Sequence, residues 1–533
     1  MIKKKIEFAF QALKSKNIET AKSLFENILL DNPDQPIINN VLGTIYLNSG
    51  QIDLSIEYFN REIKLNPKFS DAFCNLGLAY KRLKKDSLAK QNYKKAIKYN
   101  PKNFVAYFNF ANLYKDRNEI SDAKKYYQKT IHIKPNMLEA YNSLFELYEN
   151  SNQLVEINDF LNLCKVNLGE IELVRYFSGI YEFRKKNYNK AIEILEKTTL
   201  DKNELNKNVI KLGIIAQSYD SLGKFEVAYK YFLEANTIIK NFYQKIIDKN
   251  EYILFIEKRI NFFSKVEKKF SFAHEIKNQN DEPIFLIGFP RSGTTLLDTI
   301  LLGHKSIHVL EEVPIIDSFI KKLEKKINYN FHELENISET FFEEMREFYF
   351  NERKKYIYDN QKKIFIDKLP LNIIHIAEIL HFFPKSKFIL ALRNPYDVIL
   401  SCFMQQFGPN KATINFIDIK STVKLYDLVM NLLFVYLDKF PVRIHKVKYE
   451  DTVLNFEKSV TSLLNFLELE WSSNLKEFYK VGKSRGVINT PSFNQVSQPL
   501  YNKSINRWKN YEKEFKDLKN VLDPWLDEFN YIK

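Results

Sequence analysis

Proline falls at Pro33, Pro67, Pro101 and Pro135, a constant step of 34 residues. Other positions keep the same step. Small residues recur at Ala21, Ser55, Ala89 and Ala123, aromatics at Phe25, Phe59, Tyr93 and Tyr127, and tyrosines at Tyr46, Tyr80, Tyr114 and Tyr148. Leu42-Gly43 is matched by Leu76-Gly77. Proline lacks the N–H that continues a helix and clashes with the preceding turn, so each one closes a unit. A small residue lets paired helices approach, and an aromatic fills the gap beside it. The first part of the chain is therefore a stack of helical hairpins, none of which buries its apolar face alone. The pattern fades over residues 150–170. It returns around Gly179, Tyr181 and Ala191, and again at Ala216, Tyr219, Ala228, Phe232 and Ala235. About seven units occupy residues 1–240, with the fifth degenerate.

The period is that of tetratricopeptide repeats. That resemblance implies an all-α superhelix with a concave groove. The groove would recruit a protein or peptide partner, or the array would only scaffold or dimerise the second half; the repeats do not separate these. Residues 241–280 are charged with apolar residues at helical spacing, and read as a helical connector packing both halves. The remaining residues, 281–533, are a separate domain.

At 533 residues the chain exceeds a single core and calls for two to four domains. Its 45% hydrophobic content excludes global disorder. The formal net charge of +14 points to anionic partners, but abundant Lys, Asn, Ile, Phe and Tyr with scarce Gly would also follow from AT-rich codons. No recognition-helix motif, stacking module or clustered basic arm suggests nucleic acid. Cys74, Cys164 and Cys402 have neither metal-ligand nor disulfide spacing. The basic start is broken by Glu7 and Gln11 and lacks a signal-peptide core. The longest apolar run, Leu428 to Leu437, is too short to span a bilayer. These features lead us to expect a cytoplasmic protein.

Residues 283–288 (PIFLIG) read as a buried parallel strand, followed by Gly288-Phe-Pro-Arg-Ser-Gly-Thr-Thr295 and an apolar helix from Leu296. Strand, glycine loop and helix cradle phosphate on backbone N–H groups. The spacing is that of the nucleoside-triphosphate loop, yet Thr294 stands where its lysine belongs and Arg291 sits inside the loop. Both features favour a single 5′-phosphate group over Mg-ATP, so an atypical P-loop kinase or ATPase is the weaker reading.

PRSGTTLL resembles the 5′-phosphosulfate loop of sulfotransferases that use 3′-phosphoadenosine 5′-phosphosulfate (PAPS). Three further segments follow in the family's order: KSKFILALRNPYDVILSCF (385–403), VRIHKVKYED (442–451) and TPSFNQVSQPLYNKSINRWKNY (490–511). The chain is most similar to tyrosylprotein sulfotransferases and to bacterial proteins that join tetratricopeptide repeats to such a domain. The resemblance implies an α/β fold with a parallel sheet, and assigns roles residue by residue. Arg291, Ser292, Gly293, Thr294 and Thr295 would hold the 5′-phosphosulfate. Arg393 and Ser401 would bind the 3′-phosphate. Tyr449, Ser492 with the stretch to Tyr501, and Arg507 would line the nucleotide. Lys368 and Ser492 would touch the sulfuryl or leaving oxygens together with Arg291. No metal is required, because fixed cations and N–H groups hold the leaving phosphate.

The family's proposed base matches Glu312, the second glutamate in HKSIHVLEEVPII (304–316); Glu311, His304 and His308 are its rivals. Val313 and Pro314 replace a Thr and a peptide-gripping Arg of the animal enzymes, and Gln405 stands for a further nucleotide Arg. Acceptor identity thus stays open among protein tyrosine, a glycan and a small alcohol or phenol. A repeat-based adaptor with an inert transferase domain is the remaining alternative.

Overall fold

The computed structural model describes residues 2–150, 154–266, 282–327, 331–357, 364–484, 498–500 and 502–531. The chain groups into two compact units, Met1–Tyr181 and Glu182–Lys533. From Ile2 to Tyr243 the described residues run as fourteen helices.

In the first unit the repeated residues make a repeated contact. Gly43 lies against the Phe59 ring, where a Cβ would come within 2.6 Å of Cε1. Gly77 lies against Tyr93 in the same way, at 2.7 Å. In these two hairpins the first helix carries glycine because the second helix inserts an aromatic there. Ala21, Ser55, Ala89 and Ala123 are completely buried. The four periodic prolines each sit in a turn just past a helix end. The degenerate stretch is helical too: Leu154–Leu168 buries Ile157, Phe160, Leu161 and Cys164 on one stripe. It has lost the small-residue signature and kept the amphipathic one.

The repeat pattern divides the chain near residue 240, whereas packing divides it between Tyr181 and Glu182. The reason is where the later helices bury their faces. Val209, Leu212, Ala235 and Ile239, on helices Leu205–Ser221 and Phe225–Tyr243, share an apolar cluster with Ile414 and Ile417. Asn236 Nδ2 donates to the Phe403 carbonyl at 3.0 Å, and Gln406 Nε2 to the Val209 carbonyl at 2.8 Å. The connector helix Lys249–Phe263 packs on helix Ile419–Lys439 and is part of this core. Its Arg259 is fully buried and donates to both carboxylate oxygens of Glu378, at 2.7 and 2.5 Å, and to Tyr436 Oη at 2.9 Å. Residues 267–280 of the connector, and residue 281 after it, lie outside the described residues.

The second unit is built on a five-stranded parallel sheet: β1 (Ile284–Gly288), β2 (Ile307–Glu311), β3 (Ile364–Lys368), β4 (Lys387–Leu392) and β5 (Arg443–Lys448), in the order β2-β3-β1-β4-β5. Successive side chains point to opposite faces. Phe285, Ile287, Leu390 and Leu392 join one core, and Leu286, Ile366, Ile389 and Val447 join another with Leu297 and Leu301 of helix Thr294–Leu302. The same alternation separates two neighbouring charges on β3. Lys368 shares the Ile366 face and meets Asp298 of that helix, whereas Asp367 meets Tyr349 on the opposite side.

Asp367 is 1% exposed, and its Oδ1 has no partner among the described residues. Burial pushes its carboxyl up to about 7 from 3.8. The folded chain therefore holds a proton that the unfolded chain releases between those two values. The stability this group contributes is complete below the lower value and is lost as pH rises through the upper one. Asp367→Asn is expected to be neutral near pH 4 and to stabilise by on the order of 2–4 kcal/mol at pH 8. Urea unfolding at the two pH values checks this; an equal effect at both contradicts it.

Candidate active site

The C-terminal ends of all five strands carry the chemistry, where open parallel sheets bind ligands. After β1, the loop turns through Arg291 at φ 71° and Gly293 at φ 98°, and helix Thr294–Leu302 begins. A left-handed non-glycine residue is strained, and such strain clusters at functional positions. Ser292 Oγ donates to the Phe289 carbonyl at 2.7 Å and ties the loop. A Cβ on Gly293 would lie 3.0 Å from the Tyr449 ring, so this position must be bare. Thr294 and Thr295 are buried at the first helical turn, whose N–H groups have no intrahelical acceptors.

After β4, Arg393 donates from Nη1 to the Arg291 carbonyl at 3.2 Å and from Nη2 to the Ser504 carbonyl at 2.7 Å. Its guanidinium lies 4.9 Å from the Tyr449 ring centroid, and its buried Nε has no partner among the described residues. Asn394 caps helix Pro395–Met404 by accepting from the Tyr396 N–H. Two turns along, Ser401 Oγ accepts from Arg291 Nε at 3.0 Å. The two segments read separately from the sequence therefore meet directly.

After β2, Glu312 takes a left-handed conformation, φ 50°. Its N–H donates to the Lys368 carbonyl at 2.8 Å, extending the β2–β3 ladder by one bond before the chain turns away. Lys368 Nζ donates to Glu312 Oε1 at 2.9 Å and lies 3.1 Å from Asp298 Oδ2 and 3.9 Å from Glu311 Oε1. Burial opposes the lysine charge, but Asp298, Glu312 and Glu311 outweigh it and hold its pKa above the ordinary value. One ammonium thus faces three carboxylates.

A cavity of about 1080 Å³ joins these loops. Arg291, Gly293, Thr294, Thr295, Arg393 and Tyr449 line it, and so does Glu312. Its volume slightly exceeds the roughly 300–1,000 Å³ common for ligand sites.

Four expectations need correction or relocation. Lys368 is fully buried, clasped by Asp298 and Glu312, and is not on the cavity wall. Arg507 is also off the wall: Nη2 pairs with Asp220 at 2.7 Å, and Tyr511 Oη donates to the same carboxylate at 2.6 Å. Its neighbour Trp508 stacks on Tyr396 at 4.3 Å, and the buried carboxylate of Asp397 accepts from the N–H groups of Asn506 and Trp508. Ser401 does not line the cavity and meets Arg291, which does. His304 is engaged structurally, with Nδ1 accepting from the Ser306 N–H and Nε2 3.2 Å from the Glu470 carbonyl; neither it nor His308 lines the cavity. Ser492 and Tyr501 lie outside the described residues.

Part of the wall comes from residues that carry no motif in the sequence. Tyr252 and Phe255 of the connector helix line the cavity, as do Asn372 and His375 of the 3₁₀-helix Pro370–His375. Glu251, Asp317 and Glu324 bring carboxylates, and Lys321 and Lys411 bring cations.

Residues 283–473 match the sulfotransferase family model, and tetratricopeptide-repeat models match residues 38–69, 70–103 and 92–125. An uncharacterised protein of Aquifex aeolicus is 26% identical over 56% of this chain; the match spans 39% of that relative's length. A putative protein-tyrosine sulfotransferase of Caenorhabditis briggsae is 23% identical over 43% of this chain and 81% of its own. Among solved structures, the sulfotransferase domain from the curacin biosynthetic pathway aligns with a TM-score of 0.35 at 20% identity, covering 48% of this chain and 99% of that one. The family match encloses every β-strand of the sheet and the loops that carry Arg291, Glu312, Arg393 and Tyr449. Residues 283–473 thus match the sulfotransferase family, and they follow segments that match tetratricopeptide repeats.

Proposed function

We propose that the cavity binds PAPS and that the domain moves its sulfuryl group to an acceptor hydroxyl. The observation that carries this reading is the convergence of a lysine-free phosphate loop, two arginines and Glu312 on one cavity. Arg291, the first-turn N–H groups of helix Thr294–Leu302, and Arg393 supply positive potential for a nucleotide with two anionic groups. Tyr449, stacked under Arg393, offers a flat wall. Glu312 takes the proton of the acceptor hydroxyl as its oxygen bonds to sulfur. The bond from sulfur to the phosphate oxygen breaks, and 3′-phosphoadenosine 5′-phosphate (PAP) leaves. Lys368 acts through Glu312, fixing the carboxylate from behind as a positioning residue. The main contributions are alignment and fixed charge, as in other in-line transfers from anionic donors.

The acceptor is an aromatic hydroxyl in this reading, by likeness to relatives named protein-tyrosine sulfotransferases. The wall outside the nucleotide loops mixes three carboxylates with two lysines, which does not favour a strongly acidic peptide. The repeats would recruit or scaffold. Transfer of label from radiolabelled PAPS to a panel of peptide, glycan and phenol acceptors tests the reaction; no labelled product with any class would count against it.

Arg393→Ala is expected to weaken PAP binding by about 10- to 150-fold, the loss of one charge-assisted contact of roughly 1.5–3 kcal/mol. Calorimetry with PAP and with adenosine 5′-phosphosulfate separates the roles. The variant should lose affinity for PAP and much less for the compound without a 3′-phosphate. Equal losses for both would remove Arg393 as the 3′-phosphate ligand.

A further inference from the structure

We propose that Asn372 and His375 form the acceptor-recognition face of the cavity, built for an aromatic hydroxyl compound that carries a second oxygen beyond its ring. The proposal rests on the sulfotransferase reading of the same cavity and adds the residues that choose its acceptor.

Both residues belong to the 3₁₀-helix Pro370–His375. Three residues per turn place positions i and i+3 one above the other, so these two side chains share a face. Both line the cavity, yet they are only 1% and 7% exposed. Asn372 Nδ2 has no hydrogen-bond partner among the described residues. Buried polar groups are almost always partnered, so a buried amide donor on a cavity wall marks a place where a ligand oxygen completes the bond.

The location suits an acceptor. The Asn372 N–H bonds the Leu369 carbonyl at 3.0 Å, and the preceding carbonyl, that of Lys368, takes the Glu312 N–H at 2.8 Å. Asn372 and Glu312 are thus both tied by their backbone N–H groups to adjacent carbonyls of the segment Lys368-Leu369. The wall beside it is aromatic: the Phe255 and His375 rings lie 6.2 Å apart at 56°, and Tyr252 lines the same cavity. Such tilted packing leaves faces and edges for a further ring. His375 Nδ1 has no hydrogen-bond partner among the described residues; it lies 3.6 Å from Glu378 Oε1, a carboxylate that Arg259 grips through two hydrogen bonds. Fixed side chains on a rigid turn give orientation at little entropic cost.

Steady-state kinetics of the full chain with PAPS and two phenols provide the test. N-acetyltyrosinamide and 4-methylphenol share the ring and hydroxyl, but only the first carries carbonyl oxygens. The wild type should prefer N-acetyltyrosinamide by about tenfold or more in kcat/KM. Asn372→Leu should erase most of that preference by raising KM for N-acetyltyrosinamide, with 4-methylphenol turnover and PAP affinity unchanged. His375→Ala should raise KM for both phenols. If Asn372→Leu fails to fold, as judged by its melting transition, Asn372→Ser is measured by the same ratio. An unchanged ratio in the variant, or no preference in the wild type, overturns the proposal. PAP binding with transfer to neither phenol overturns it while sparing the donor assignment. Absence of PAP binding defeats the underlying sulfotransferase reading, and the proposal with it.

Discussion

Glu312→Gln is expected to lower turnover by about 10²–10⁴ and leave PAP affinity unchanged. Glutamine keeps the shape of the side chain and still accepts the Lys368 N–H through Oε1. Lys368 also keeps Asp298 at 3.1 Å, so the buried cation is not stranded. What the variant lacks is a site for the acceptor proton. A loss confined to KM, or unchanged turnover, would remove Glu312 as base. Glu311 would then be the carboxylate to examine, because it lies 3.9 Å from the same ammonium. Lys368→Met combined with Asp298→Asn addresses the positioning role from the other side, because the lysine change alone would leave a fully buried carboxylate without its cation. The double variant should lower turnover without abolishing PAP binding, since the lysine is not on the cavity wall.

The second large effect concerns the connector. Arg259→Met should destabilise the second unit by about 3–5 kcal/mol, because it leaves a fully buried carboxylate without its cation. Burial alone would raise the Glu378 pKa, but Arg259 and His375 outweigh it and hold the carboxyl well below the usual carboxylate range. A depressed folded pKa contributes stability above the unfolded value, and that contribution is lost as pH falls through the folded one. The gap between wild type and variant should therefore be full at pH 7 and narrow in strong acid. The double variant Arg259→Met/Glu378→Leu should recover most of the loss, since a well-packed apolar pair replaces a buried ion pair at little cost. Urea unfolding of the wild type and the two variants at pH 7 decides this. If the double variant were as unstable as the single one, the loss would lie in packing and not in the uncompensated charge.

Much of this was legible in the sequence because it is local. The repeat contact Gly43–Phe59 recurs at a fixed spacing, and the phosphate loop encloses strand, turn and helix within a few residues. Arg393 and Ser401 were visible as a strand end and the helix after it. What the sequence hid is non-local. Arg507 looks like a nucleotide ligand until Asp220, 287 residues earlier, is seen to take its charge. Lys368 looks reachable, but side-chain alternation on β3 turns it inward to Asp298. Arg259 sits in a charged run and looks solvated, whereas helix Ile419–Lys439 and Glu378 bury it completely. The connector and the last repeat helices read as separate segments because their apolar faces carry no mark of what they pack against. Asn372 and His375 escaped notice because a six-residue 3₁₀-helix is too short to show a period.

The central claim is that this cavity is made for a nucleotide with anionic groups at both the 3′ and 5′ positions. Isothermal titration of the full chain with PAP, set against Mg-ATP under the same conditions, tests it most directly. Saturable binding of PAP at one site per chain, with little or no heat from Mg-ATP, is the expected result. No binding of PAP, or Mg-ATP binding as tightly as PAP, would contradict it.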